Sequence, residues 1–261
     1  NLSGEYTSDK LGPAKTWQDL RWRGNSVEPL NTDNSTVEVI GVDANGNNTS
    51  LAIVRAAQDT SLSWINATQY PFLKLRMVTN DSSQGTPMQL RYWRINATML
   101  PEGAVAPNIL YVMKDTVEQG EKIDFKLAFK NISQTAFDST MKFNFIITDR
   151  NNVATSVPIP RGKALVAGDT LTINYQINTK NLPGSNTLFV DVNPNNHQAE
   201  QTHFNNVLYK DFFVKADTYN PLLDVTFDGV HILNKDIVAA KPHILINLKD
   251  ESRFLALADT A

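Results

Sequence analysis

Hydrophobic and polar positions alternate with a period of two along most of this chain. In residues 122–130 (KIDFKLAFK), Ile123, Phe125, Leu127 and Phe129 share one face, with Asp124 and Lys126 on the other. Residues 141–147 (MKFNFII) and 171–177 (LTINYQI) repeat the pattern. Successive strand side chains point to opposite faces of a sheet, so each segment reads as a strand with one buried and one wet face. No segment sustains helical spacing over three turns, and 61–65 offers one turn at most. The chain is predicted all-β.

Turn chemistry divides it. In 100–107 (LPEGAVAP) two prolines and a glycine sit among small residues, which breaks strand pairing and reads as a linker. Beyond it come seven candidate strands, at 109–113, 122–130, 139–148, 153–158, 170–178, 186–193 and 206–214. Turn signals at 118–121 (EQGE), 167–169 (AGD) and 182–185 (LPGS) separate most of them. Seven short strands at this spacing are what an immunoglobulin-like sandwich requires. Before the linker, 36–42, 72–77 and 88–95 read as strands of another sandwich, and Asn45-Gly46 supplies a tight hairpin turn. After 216–221 a new pattern opens at 223–232 and 237–248. It is too short to bury its own core, so it reads as the front of a further domain or as a segment leaning on the second. The predicted units are therefore 1–103, 104–216 and 217–261.

The segment 190–207 (VDVNPNNHQAEQTHFNNV) resembles the closing hairpin of a CARDB-type immunoglobulin-like module. Gly12-Pro13-Ala14, WQDLRW at 17–22, VEVIGVDANGN at 37–47, YPFLKLR at 70–76, QLRYW at 89–93 and the tail 222–252 are similar to the β-rich region of large secreted Bacteroidetes proteins. Many of those carry a gingipain-like cysteine peptidase domain upstream and leave the cell by type IX secretion. The resemblance implies tandem β-sandwiches: a jelly-roll or galactose-binding-like one, a seven-stranded CARDB module, then a partial β segment. It also implies a secreted or cell-surface location and an ancillary role. The peptidase's His/Cys motifs are not in this sequence, so its activity does not carry over.

Composition narrows the remaining classes. Hydrophobic residues make up 41% and charged residues 20% of 261, which is ordinary for a folded protein. A net charge of -3 with no basic run argues against nucleic acid as a partner. No apolar run is long enough to span a bilayer as a helix. Cysteine is absent, which removes disulfides, thiolate metal sites and a cysteine nucleophile. The first residue is Asn1, and the last segment, FLALADTA, lacks a strand partner, so the chain is expected to be an excerpt of a longer protein.

Candidate chemistry is sparse. Asp191, Asn193 and Asn195 form an oxygen-rich DxNxN series ahead of Glu200, a type of pattern calcium uses. It lacks the turn glycine and carries its acid too early for an EF-hand, so a structural hairpin loop, with Asn side chains bonding the backbone, is the favoured reading. His197 and His203 flank the same glutamate at a spacing that fits no zinc motif. Asp43, Asn45 and Asn47 repeat the series in a turn. All four tryptophans fall before the linker, so stacking on sugar rings is the second functional reading. Its candidate contacts are Trp64, Tyr70, Tyr92 and Arg91. Trp17 and Trp22 are five apart, so an undisturbed strand would place them on opposite faces. A hydrolase is the third reading, with Glu38, Asp43, Asp81 and Glu102 as the available acids; each lies near a turn, where solubility accounts for it. The leading expectation is a non-enzymatic spacer or adhesion region without a cofactor. Its partners would be neighbouring domains of the same polypeptide and a glycan or surface protein.

Overall fold

The structure is a computed structural model that describes residues 2–28, 33–55, 58–82, 84–250 and 252–255. Its regular elements are strands and two short 3-10 turns, so the protein is all-β, as the alternation predicts. The first sandwich contains β1 (Leu2–Thr7), β2 (Ala14–Asn25), β3 (Asn34–Val42), β4 (Asn48–Val54), β5 (Asp59–Ser61), β6 (Phe72–Asp81) and β7 (Gln89–Met99). They form a four-stranded sheet ordered β1-β6-β3-β4 and a three-stranded sheet ordered β5-β2-β7. Between the sheets lie Trp17, Leu20, Trp22, Val37, Val39, Leu73 and Leu75, all buried.

Trp17 and Trp22 both face this core. The register of β2 against β7 shifts between Trp17 and Asp19, so the alternation is reset and two residues of opposite parity point the same way. Parity counting alone does not see the irregularity.

The second sandwich contains β8 (Gly103–Val105), β9 (Tyr111–Val112), β10 (Thr116–Glu118), β11 (Lys122–Asn131), β12 (Phe143–Thr148), β13 (Ala154–Val157), β14 (Thr170–Asn178), β15 (Gly184–Val192) and β16 (Val207–Lys215). One sheet is ordered β10-β16-β15-β12-β13; in the other, β14 pairs with β11, which also pairs with β8 and β9. Ile123, Phe125, Leu127 and Phe129 point into the core from β11, as their period predicts. Phe125 meets Phe145 edge-on, with centroids 5.6 Å apart and planes at 84°. Each such ring contributes roughly 1.5–3 kcal/mol through burial.

Two expectations are corrected here. Residues 139–142 are not strand, since β12 begins at Phe143. The linker does not interrupt pairing: its centre is β8, hydrogen-bonded to β11 with Phe129 opposite Val105 and Asn131 opposite Gly103. Glycine is what allows this. A Cβ on Gly103 would lie 2.1 Å from Cζ of Phe129, so only a bare backbone fits over that ring.

The remaining strands, β17 (Leu222–Phe227) and β18 (Ile244–Lys249), form a two-stranded ribbon. Leu222, Leu223, Ile244, Leu245 and Ile246 are exposed along it. Phe254 and Leu255 lie against Gly120 of the second sandwich. The last part of the FLALADTA segment, 256–261, lies outside the described residues.

Candidate functional site

The closing hairpin of the second sandwich, between β15 and β16, concentrates the buried polar chemistry of this chain. Asn193, Asn195 and Asn196 all take left-handed backbone angles, with φ of 61°, 56° and 48°. Asparagine tolerates this region better than most residues, which is why an Asn/Pro-rich string can turn so tightly. Asn193 is fully buried. Its Nδ2 donates to the Gln198 carbonyl (2.7 Å), and its Oδ1 accepts from the Gln198 N–H (2.8 Å).

Inside the loop, Oε1 of Glu200 collects donors. Nδ2 of Asn193 reaches it at 2.8 Å and Nδ2 of Asn206 at 2.6 Å, while Nδ1 of His203 lies 2.9 Å away. The other ring nitrogen, Nε2, sits 2.9 Å from Oδ1 of Asp191. A neutral imidazole has one N–H and an imidazolium has two, so a ring between two carboxylates is suited to the charged form. Burial works against that charge at His203, but the Glu200 hydrogen bond and the field of Asp191 outweigh it and hold the pKa above the usual histidine value. Burial pushes the Glu200 carboxyl up, against the pull of His203 and the two asparagines. Asp191 is likewise raised by burial, against the pull of His203.

This arrangement does not gather the four oxygens considered for calcium. The His203 ring stands between Asp191 and Glu200. Asn193 presents its amide nitrogen, a donor, to Glu200, and Asn195 is exposed on the turn. The loop's own donors converge on Oε1 of Glu200, while its Oε2 is buried without a hydrogen-bond partner. Asn193 bonds the loop's own backbone at Gln198.

The same loop grips the linker. Main-chain N–H of Gln201 donates to the Pro101 carbonyl (3.0 Å), and its side-chain amide donates to the Leu100 carbonyl (2.7 Å). Glu102 is buried, and its carboxylate accepts from the N–H of Thr202 (2.8 Å), the hydroxyl of Thr202, and Nδ2 of Asn205 (2.7 Å). Two further contacts cross from the second sandwich to the first. The Thr135 hydroxyl donates to the Met99 carbonyl (2.8 Å), and Nζ of Lys15 lies 2.6 Å from Asp138. Solubility therefore does not explain Glu102: it is a buried acceptor whose donors lie a hundred residues along the chain. Glu38 is also corrected, since it sits mid-strand on β3, paired with Arg76 at 2.6 Å.

The aromatic candidates do not form one site. Trp64 is 58% exposed, its indole N–H donating to the Ser61 carbonyl, and Tyr92 is 49% exposed. On β2, the residues opposite Ser61 and Tyr92 are Asp19 and Arg23, four positions or about 13 Å apart. Tyr70 is absorbed by the first core, and its carbonyl accepts from Nε1 of Trp17 at 2.9 Å. The ring is half-buried, lying close to the bare backbone of Gly41, and its hydroxyl accepts from Nε2 of Gln69. Arg91 is exposed and donates to Oδ1 of Asn25. Trp93 stacks on Tyr6, with centroids 5.4 Å apart.

A second acidic cluster was not legible in the sequence. Glu28, Asp33 and Asp81 each bring one carboxylate oxygen within 4.8 Å of the others. Asp81 is 1% exposed and accepts from the N–H groups of Gln84 and Thr86, and the Thr86 hydroxyl donates to Glu28. At about 5 Å, two unit negative charges repel by roughly 3 kcal/mol at an effective dielectric near 20. Asp81 lies 48 and 53 positions beyond Asp33 and Glu28, so no local spacing brings it to them.

No family model matches this chain, and no curated protein matches it. Among solved structures, the chain is similar to the crystal structure of the CARDB domain of the PF1109 protein from Pyrococcus furiosus, in complex with di-metal ions. That match has 17% identity and a TM-score of 0.34, over 44% of this chain and 89% of that one. The solution structure of the same domain matches at 18% identity and TM-score 0.35, over 44% and 96%. A Bacteroides uniformis beta-glucuronidase aligns at 12% identity and TM-score 0.28, over 87% of this chain and 27% of the enzyme. At these values the likeness is one of β fold, and the metals and substrates of those proteins say nothing about this chain.

Proposed function

We propose that this chain is a non-catalytic spacer and interaction region of an exported bacterial surface protein, holding a neighbouring domain of the same polypeptide at a fixed position. The observation that carries the reading is the joint. The linker is a strand of the second sandwich, and the 193–206 loop fastens it through Gln201, Thr202 and Asn205. A spacer must transmit position, and a hydrogen-bonded linker does so where a Gly/Ser linker behaves as a random coil. The free edges at β13 and β14 offer further protein contact by strand addition. Secretion and surface location rest on the sequence resemblance.

Small-angle scattering tests the joint. The chain should fit one rigid arrangement of its two sandwiches, and Glu102→Ala together with Gln201→Ala should increase the radius of gyration while both sandwiches stay folded. An unchanged profile in the double variant removes the rigid-spacer reading. A second reading, glycan binding through the first sandwich, draws on the exposed rings of Trp64 and Tyr92. A glycan array in which binding disappears in both Trp64→Ala and Tyr92→Ala would favour it.

A further inference from the structure

We propose that Glu28, Asp33 and Asp81 form a calcium site that ties the residues just after β2 and just before β3 to the end of β6. Three carboxylates converge to within 4.8 Å, and Glu28 and Asp81 are buried. Proximity alone does not define a site, but two further features do. Both oxygens of Asp33 are sealed from solvent and neither has a hydrogen-bond partner. A buried carboxylate ordinarily gathers donors, since leaving water uncompensated is costly. A bound cation compensates the Asp33 charge and eases the repulsion among the three carboxylates. The second feature is Trp22, 0% exposed, whose indole N–H has no partner and which lines the same cavity as Glu28 and Asp33. A water carried by the ion supplies the acceptor that N–H lacks.

The chemistry selects the metal. All three donors are hard carboxylate oxygens with no imidazole or thiolate among them, which suits calcium or magnesium over zinc and copper. Magnesium demands near-ideal octahedral geometry and keeps several waters, whereas calcium accepts irregular sets of carboxylates. The cavity of about 520 Å³ beside Glu28 and Asp33 is lined also by Asn25, Ser26, Ser35 and the cationic Arg55.

The placement also gives the ion a task. Glu28 and Asp33 flank the approach to β3, and Asp81 closes β6, its neighbour in the sheet. An ion shared between them fixes one end of the first sandwich, the unit that contains every tryptophan of the chain.

The test uses the whole chain stripped with EDTA. Thermal unfolding is followed by tryptophan emission, and terbium luminescence sensitised by tryptophan serves as an independent probe. About 1 mM calcium should raise the tryptophan-detected Tm by roughly 5 °C or more. Terbium should give a sensitised signal that calcium displaces. Asp33→Asn should abolish the calcium shift and lower terbium affinity at least about tenfold, with a metal-free Tm no lower than the stripped wild type, because a like charge has been removed. Glu28→Gln is the second variant should Asp33→Asn fail to fold. The proposal is overturned if stripped wild-type protein shows no calcium shift, if both variants keep it in full, or if magnesium protects equally well.

Discussion

Replacing Glu200 by alanine removes the acceptor at the centre of the closing hairpin. Three donors converge on its Oε1, from Asn193, Asn206 and His203, and the Glu200 side chain is 1% exposed. Asn193 keeps its bond to the Gln198 carbonyl, so two groups, the Asn206 amide and the His203 ring, lose most. A buried donor left unpaired costs about 1–3 kcal/mol, and breaking one side of a buried charged pair about 3–5 kcal/mol. We expect a loss of about 3–5 kcal/mol, confined to the second sandwich. Glu200→Gln keeps an acceptor for the same donors and should cost less, about 1–2 kcal/mol. The distribution of tryptophan makes the assay clean. All four lie in the first sandwich, so tryptophan emission follows that unit while far-UV circular dichroism also reports the second. In urea, Glu200→Ala should lower the second sandwich's midpoint by roughly 2 M and leave the tryptophan transition almost unmoved. A loss below about 1 kcal/mol would show that the network does not hold the loop, and the reasoning about the joint would fall with it.

Three further outcomes follow from other contacts. The raised His203 pKa means that the stability its charge supplies is complete below the unfolded imidazole's value of about 6.5 and drains as pH rises through the higher folded value. Glu200 and Asp191 are also raised, so the native state holds those protons more tightly as well and stability again falls with rising pH across their windows. The Tm of the second sandwich should therefore decline as pH rises above about 6.5, and His203→Gln should flatten the slope; a Tm that rises there contradicts the assignment. Gly103→Ala places a methyl inside the Phe129 ring and should cost about 1–3 kcal/mol by chemical denaturation, with Phe129→Leu in the same chain recovering part of it. Asn193→Ala loses three side-chain bonds within the loop and the tolerance for a φ of 61°, and should destabilise by about 1–3 kcal/mol; a neutral result would show the loop is held elsewhere.

Much of the fold was legible because period-two alternation is a local property. β11, β14 and β16 lie within a residue of the segments predicted for them, and the Asn-rich hairpin bonds its own backbone as the string implied. What escaped were features set by distant partners. The Pro/Gly composition of 100–107 signals a break, yet Gly103 is there to let backbone lie on Phe129, and that ring is 26 positions away. Asp81 and Glu102 look like solvated turn acids until their donors are placed beside them. Trp17 and Trp22 share a face because of an irregularity in pairing, which leaves no mark in residue spacing. The His203 ring was visible as a loop histidine, but its position between two carboxylates depends on how the 193–206 loop folds back.

The joint is what makes two β-sandwiches a spacer instead of two beads on a string. With no native cysteine, spin labels can be placed singly at Thr49 and Thr172, both exposed and one on each sandwich, and the distance between them read by pulsed electron resonance. The account predicts one narrow distance population in the wild-type chain that broadens in Glu102→Ala. A wild-type distribution as broad as that of a flexible tether would contradict it.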